Sequence, residues 1–360
     1  MKTIFRLFIA LLVCLSTALA KPYQALTLAG EVVATFQPEA AAHSSEAMVT
    51  AAEDLIASLT NEERDQLLLP LDDPERTQWT NVPTRADDGG LRLGDLKKEQ
   101  LEKVCTFLAT VLSKNGYLMA RNVMLADDLL LRSQEQANRR GGFGTANFWI
   151  VIFGKPSLTE PWGVQLDGHH IAYNLTIAGE RVTMSPSFIG TQPREFTLGE
   201  EKIIPMGPET AAAFAFLASL DEAQKKQAGQ GEKRGRIEAG PGKDGVMPKQ
   251  RGLSCKGLTK KQRGLLLKLI MYWVDDLPES SYFTRLAEIG AQLEETFFVW
   301  QGPQEVGSDA SFHIFGPGLI IEYAGQNLGG DPLNHLHSIY RDPSNEYGAK
   351  WIEKSSSAKN

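Results

Sequence analysis

The chain has 360 residues, 42% of them hydrophobic and 22% charged, which is the composition of a folded protein with a substantial core rather than of a disordered one. Its length allows one large domain or two of medium size. Its formal net charge of −7 excludes nucleic acid as the main partner, because nucleic-acid binding depends on a basic surface.

The first twenty residues predict a signal peptide. Lys2 and Arg6 give a positive start, a short apolar core follows, and Ala18-Leu19-Ala20 has the small-x-small pattern of a cleavage site. The apolar run is shorter than the roughly 20 residues that a membrane span needs. We therefore expect a secreted or periplasmic protein, cleaved near Ala20 and not membrane-embedded. Losing Lys2 and Arg6 would move its net charge from −7 to −9.

Helical periodicity follows from about Ser45 to Leu131. The segment "LTNEERDQLLLPL" opens with Thr60 and Glu63, which form the S/T-x-x-E pattern of a capping box. The segment "LKKEQLEKVCTFLATVLSKNGY" repeats apolar residues three and four positions apart and ends at Gly116. These apolar faces are predicted to pack in the core.

Two cysteines, Cys105 and Cys255, would remain after cleavage. Export makes a disulfide between them possible, whereas the leucines at helical spacing around Cys105 fit a buried thiol, and both alternatives stay open. Neither thiol lies in a recognisable reactive setting. Two cysteines are also too few for a metal site built of cysteines.

Strand periodicity begins at Asn147. The segment "NFWIVIFG" predicts a buried strand, and "HHIAYNLTIAGERVTMSPSF" predicts a hairpin that turns at Gly179. Apolar residues from Ile171 to Ile177 share one face of its first arm. The opposite, mostly polar face is expected to lie in solvent.

The middle of the chain returns to helices. A helix is predicted in "GPETAAAFAFLASL", and two more in "LTKKQRGLLLKLIMYWVDDLP" and around residues 281–294. Between them, residues 225–252 are rich in Gly, Lys, Arg and Gln, which predicts a flexible, solvated basic insertion. An arm that binds polyanions is the functional alternative for this insertion.

The C-terminal region alternates again, with a hairpin in "SFHIFGPGLIIEYAG" and a strand in "NHLHSIY". The order of helices, strands, helices and strands, without regular βαβ units, predicts an α+β fold. We expect the helical N-terminal block and the middle helices to pack on an antiparallel sheet formed by residues 147–200 and 298–342. One domain is expected over residues 21–348, followed by a tail at 349–360.

Five of the six histidines fall in the two strand regions. His335 and His337 point to the same side of a strand, so both imidazoles can reach one metal ion. His169 and His170 are neighbours, and on a regular strand only one of them would reach that ion. Glu322 is an acid inside an apolar strand, where burial is costly unless it is paired or bound to a metal.

Imidazole and carboxylate ligands suit Zn, Cu, Fe or Mn. The alternative for an H-x-H pair is a polar strand face without any metal. Arg341 and Asp342 also have a structural alternative, in which they form an ion pair with each other and take no part in a functional site.

Several long motifs resemble one protein family. The segments "LDGHHIAYNLTIAGERVTMSPSFIGTQP", "LTKKQRGLLLKLIMYWVDDLP", "TFFVWQGP" and "HLHSIYRDPSNEYG" are similar, in this order, to the exported bacterial and fungal family called domain of unknown function 3500. The resemblance runs from about Ala51 to Gly348 and implies no particular activity. The family's pattern includes the residues of the candidate site: Gly168-His169-His170, Glu322, His335, His337 and Arg341-Asp342-Pro343. Glu346 stands where the pattern has aspartate.

The leading hypothesis is an exported metal-dependent enzyme, a hydrolase or an oxidoreductase, with an unknown small-molecule substrate. Its metal ligands would come from His169, His170, His335, His337 and Glu322. Its catalytic residues would be Glu322, Arg341 and Asp342. Glu322 would be a fourth ligand or general base, Arg341 would orient an anionic group or Asp342, and Asp342 would hold a ligand histidine.

The alternatives are a non-catalytic periplasmic metal- or ligand-binding protein and a metal-free protein whose histidines hydrogen-bond within the sheet. The metal hypothesis predicts that His170 and Glu322 lie within metal-bridging reach of His335 and His337.

Overall fold

The structure is a computed structural model that describes residues 43–83, 89–136, 142–232, 235–328 and 330–358, together with four two-residue strands between residues 23 and 36. The predicted signal peptide at 1–20 lies outside the described residues.

Helices and strands occupy alternating blocks of the chain. The helices are α1 Ser45–Ser58, α2 Asn61–Leu67, α3 Lys98–Val111, α4 Lys114–Gln136, α5 Gly207–Ala218, α6 Glu222–Ala228, α7 Lys260–Val274, α8 Glu279–Ala291 and α9 Ala349–Ala358. The strands are β1 Tyr23–Gln24, β2 Thr27–Leu28, β3 Glu31–Val32, β4 Thr35–Phe36, β5 Leu68–Leu69, β6 Leu91–Arg92, β7 Phe148–Phe153, β8 Trp162–Gly168, β9 Ile171–Ala178, β10 Arg181–Thr191, β11 Phe196–Leu198, β12 Glu201–Ile203, β13 Leu253–Ser254, β14 Phe297–Gln301, β15 Ser311–Gly316, β16 Leu319–Gly325 and β17 Leu336–Arg341. The segment predicted as a tail at 349–360 thus begins with helix α9. Within the described part of the chain, no helix combines the length and the apolar character that crossing a bilayer requires.

The helices begin where side chains can satisfy their first backbone amides. The predicted capping box of Thr60 and Glu63 is present at the start of α2, and Thr259 caps α7 together with Gln262. Pro208 occupies the first turn of α5, where its missing N–H is not needed.

One 11-stranded sheet joins the two strand regions. Its order is β13-β14-β15-β16-β17-β10-β9-β8-β7-β5, and β6 also pairs with β7. The neighbours are antiparallel, except that β5 runs parallel to β7. The predicted α+β fold is therefore confirmed. The end of the expected sheet region 147–200 is corrected. Strands β11 and β12 pair with each other as a separate hairpin and do not join the 11-stranded sheet.

Helices cover one face of the sheet and form the main core with it. Alternate residues of β9, from Ile171 to Ile177, pack there with Leu108 of α3, Phe216 of α5 and Leu269 of α7. Burying each such side chain contributes about 1.5–3 kcal/mol. The two-residue period of the strands is sufficient to predict which residues lie on this face.

The opposite face of β9 is also buried, which corrects the expectation that it lies in solvent. Asn174 and Thr176 are 3% and 0% exposed. Arg76 donates a hydrogen bond to the Thr176 hydroxyl at 2.7 Å, and Trp79 and Ala239 belong to a second, small core on this side. Segments distant in the sequence cover this face, and strand periodicity alone does not reveal them.

Residues 235–252 form a segment, called the strap, that runs across this second face. The sequence predicts a flexible, solvated insertion at 225–252, but its first residues complete α6 and the strap contacts the sheet. Ile237 and Ala239 pack in the second core, while Lys243 and Lys249 are exposed. Composition hides this contact, because only two apolar side chains of the strap, Ile237 and Ala239, belong to the second core.

The main core contains carboxyl groups. Tyr173 donates a hydrogen bond to Asp276 Oδ2 at 3.0 Å. Burial raises the pKa of Asp276 well above its ordinary value, and nearby Asp275 raises it further by repulsion. The pKa of Glu209 is likewise raised by burial. Neutral carboxyl groups are therefore favoured in this core.

The two cysteines are buried and do not pair with each other. Cys105 lies in α3, and Cys255 follows β13. Burial raises the pKa of the Cys255 thiol to about 12, so this thiol remains protonated at neutral pH. The alternative of buried thiols, which the sequence left open, is the one that the structure shows.

Candidate metal centre

A two-residue turn between β8 and β9 presents His169 and His170 together. His170 has a φ of 69°, in the left-handed region, and its carbonyl accepts a hydrogen bond from Gly190 N at 2.7 Å. The two imidazole rings stack with centroids 3.6 Å apart. The expectation that these neighbours face opposite sides is therefore corrected, because they lie in a turn and not on a regular strand.

Strand β17 brings His335 and His337 to the same place. β17 pairs with β10, and this register sets His337 opposite Gly190. His335 Nε2 lies 2.9 Å from His170 Nε2 and 2.9 Å from His337 Nε2. His170 and His335 are buried and His337 is half-buried. The structure thus brings these three histidines together, as the metal hypothesis predicts.

The arrangement of protons favours a cation between these rings. His335 Nδ1 lies 2.5 Å from Leu328 O, and a carbonyl only accepts, so Nδ1 carries the proton and the Nε2 of the neutral ring keeps its lone pair. That one lone pair faces two other imidazole nitrogens. Two nitrogens bound to one ion at about 2.1 Å would lie about 3.0–3.4 Å apart, close to the 2.9 Å that separates His335 Nε2 from each of the other two Nε2 atoms.

A second group of possible ligands adjoins the first. His169 Nδ1 lies 2.5 Å from Asp127 Oδ1, while Asp127 Oδ2 accepts a hydrogen bond from Gly144 N at 2.6 Å. Ligand atoms of Asp127, His169 and His170 all lie within 4.8 Å of one another. Sequence reasoning missed Asp127, although an acid pair inside the apolar helical stretch "NVMLADDLLL" was an available signal.

Aromatic rings flank the histidines. The Phe143 ring lies edge-on to His169 with centroids 5.0 Å apart, and Phe188 lies in the same way against His337 at 5.1 Å. These apolar walls exclude water from part of the cluster.

Burial keeps the clustered imidazoles neutral. The pKa of His170 lies well below its ordinary value, first because of desolvation and then because of repulsion from the other three histidines. Desolvation lowers the pKa of His337 and His335 in the same way. Because a metal binds only the neutral ring, the low pKa values keep the ligands ready below the pH at which an exposed histidine is protonated.

Gly190 is required beneath the rings. A Cβ there would lie 2.7 Å from His170 Cδ2 and 3.0 Å from His337 Cδ2. We expect Gly190→Ala to lower the free energy of unfolding by about 1–3 kcal/mol, through overpacking. Urea denaturation measures this loss, and the control is Gly264→Ala in α7, where a Cβ meets nothing within 4 Å. Equal effects of the two substitutions would contradict the steric argument.

The carboxylate of Glu322 belongs to a different cluster. Its cross-strand neighbour on β17 is Ile339, and His337 lies two residues farther along that strand. Glu322 Oε2 accepts hydrogen bonds from the strap, from Glu238 N at 2.5 Å and Ala239 N at 2.9 Å. The sequence prediction that Glu322 completes the histidine site is corrected, because the register sets Glu322 two residues away from His337 and its side chain binds the strap instead.

Arg341 and Asp342 separate because they follow each other at the end of β17, so their side chains point to opposite sides. Arg341 is fully buried and donates to Asp244 at 2.8 Å, to Glu346 at 2.7 Å and to two carbonyl oxygens of the strap. Asp342 Oδ2 lies 3.2 Å from Arg285 Nη1. The predicted roles of Arg341 in orienting Asp342 and of Asp342 in holding a ligand histidine are therefore corrected.

Comparison with known proteins agrees with the motifs in the sequence. No match was found among curated proteins or among solved structures. One family model matches residues 41–349, which include the histidine cluster, the strap and the 11-stranded sheet. The chain therefore belongs to the family described as protein of unknown function (DUF3500).

Proposed function

We propose that His170, His335 and His337 bind one divalent transition metal, and that the chain is an exported metal-dependent enzyme, hydrolytic or oxidative, acting on a small molecule. The convergence of three Nε2 atoms, with His335 Nδ1 committed to Leu328 O, carries this proposal. Metal ligands characteristically donate their other ring N–H to such a carbonyl or to a carboxylate. Export is supported by the signal-like sequence of residues 1–20.

The ligand set narrows the choice of metal. Three imidazole nitrogens suit Zn, Cu or Fe, whereas Mn prefers oxygen ligands. Because Glu322 lies outside the histidine cluster, we favour Zn, Cu or Fe over Mn. Such an ion would supply Lewis-acid activation of water or of a substrate oxygen, or electron transfer if it is Cu or Fe.

An open coordination position favours catalysis. Three protein ligands plus one exchangeable position are typical of catalytic zinc sites, and His337 is the least buried of the three proposed ligands. The Asp127–His169 pair lies beside this trio. The contact with Asp127 engages His169 Nδ1, so its Nε2 is the nitrogen that would act as a general base.

The test is elemental analysis of the full chain exported by its own signal. We expect one equivalent of metal at this site in the wild type, and its loss in a His335→Ala/His337→Ala variant. His43→Ala is the matched control, since His43 contacts the Thr110 carbonyl and, within the described residues, lies in neither histidine group. If the double variant binds as many equivalents of metal as the wild type, the proposal is refuted.

One observation favours the alternative function, a non-catalytic metal-binding protein. Asp127 and His169 form a second group of possible ligands with His170, which is also a member of the trio, so they could add ligands to the same ion. In that case the Co²⁺-substituted protein should keep the same visible spectrum when azide is added. A spectral change on adding azide would show an open position and support the enzyme.

A further inference from the structure

A second cluster of ligand-type side chains lies on the same sheet face, beneath the strap. His313 of β15 stands directly opposite Glu322 of β16, so both side chains point to this face. Glu238 comes from the strap above them. One ligand atom from each of the three residues lies within 4.8 Å of the other two.

His313 has an unsatisfied nitrogen in this cluster. The residue is 3% exposed, and its buried Nδ1 makes no hydrogen bond within the described residues. This nitrogen lies 3.3 Å from Glu322 Oε1, without the alignment of a hydrogen bond. A buried polar atom without a partner costs about 1–3 kcal/mol, so the native protein should offer it one.

Only one of the two carboxylate oxygens of Glu322 accepts hydrogen bonds from the strap. Its Oε2 accepts the two backbone N–H groups of the strap, which leaves Oε1 facing His313. A nitrogen and an oxygen bound to one tetrahedral ion at about 2.1 Å would lie about 3.4 Å apart. The observed separation of 3.3 Å fits two ligands of one ion.

We propose that His313, Glu322 and Glu238 bind a second divalent cation, which fastens the strap to the sheet. One imidazole and two carboxylates suit Zn²⁺ or Mn²⁺. The cation offsets two carboxylate charges, one of which is buried, while Arg251 reaches Glu238 at 3.3 Å and offsets part of the charge. This site shares no ligand with the histidine cluster, so either one can fail alone.

The test counts Zn²⁺ per chain after EDTA treatment and re-equilibration with Zn²⁺. We expect two equivalents in the wild type, and one in His335→Ala/His337→Ala. We also expect one equivalent in Glu238→Gln, a change at a partly exposed residue that should leave the fold intact. The control is Glu346→Gln, which removes a carboxylate charge that contacts the strap at Gly245 N and pairs with Arg341 but is no proposed ligand, and it should keep two equivalents.

Proteolysis gives an independent readout, because Lys243 and Lys249 are exposed trypsin sites in the strap. We expect added Zn²⁺ to slow cleavage there at least tenfold in the wild type and in His335→Ala/His337→Ala, but not in Glu238→Gln. The proposal is overturned if Glu238→Gln keeps every equivalent of the wild type, or if the wild type binds a single equivalent that the histidine substitutions remove. A single equivalent that only Glu238→Gln removes would instead overturn the proposed function.

Discussion

The Arg341→Ala variant should lose about 3–5 kcal/mol of unfolding free energy, the usual effect of removing one partner from a buried ion pair. The substitution leaves Asp244 and Glu346 without their cation and two strap carbonyls without their donor. Urea denaturation measures the loss.

The control for this loss is Lys103→Ala, because Lys103 and Asp54 form an exposed pair with side chains 45% and 58% accessible. Such a pair contributes about 0–1 kcal/mol. If Arg341→Ala cost no more than this control, the strap would not depend on Arg341. Faster trypsin cleavage at Lys243 and Lys249 in Arg341→Ala would locate the damage in the strap.

Asp276→Asn should stabilise the protein at neutral pH. The pKa of Asp276 is raised in the folded state, so folding takes up a proton once the pH exceeds 3.8, the ordinary value. This uptake lowers wild-type stability by about 1.4 kcal/mol per pH unit, from 3.8 up to the folded pKa. Asparagine needs no proton and can still accept the hydrogen bond from Tyr173.

The measurement compares urea denaturation of Asp276→Asn and the wild type from pH 4 to pH 7. The stability of the variant relative to the wild type should rise with pH over this range. Asp54→Asn, at an exposed position, serves as the control and should show no comparable rise. A constant difference between Asp276→Asn and the wild type would mean that Asp276 is already charged in the core.

Local patterns in the sequence were sufficient to predict the longer central elements and the fold class. Apolar periods placed β7, β9 and α7, and capping residues such as Thr60 and Thr259 marked helix starts. The edge strands β5, β6 and β13 have two residues each, which is too short for any period to show.

The candidate site was predictable only in part. The shared face of His335 and His337 follows from strand alternation, but their approach to His170 depends on the pairing of β10 with β17. Sequence does not specify that register. Asp127 was missed because it lies on helix α4, and only the tertiary structure brings it to His169 in the turn between β8 and β9. Glu322 was misassigned because the strap that binds it has the composition of a solvated loop.

The central position of β17 has a consequence for biosynthesis. This strand lies between β10 and β16, yet it follows all other strands of the sheet in chain order, and His170 and His335 are 165 residues apart. Until residue 341 has been synthesised, β10 and β16 each present an unpaired edge, the kind of surface on which chains associate with one another. Insertion of β17 removes both edges and assembles the histidine cluster in the same step. Metal uptake by this cluster would therefore mark chains in which the sheet is complete.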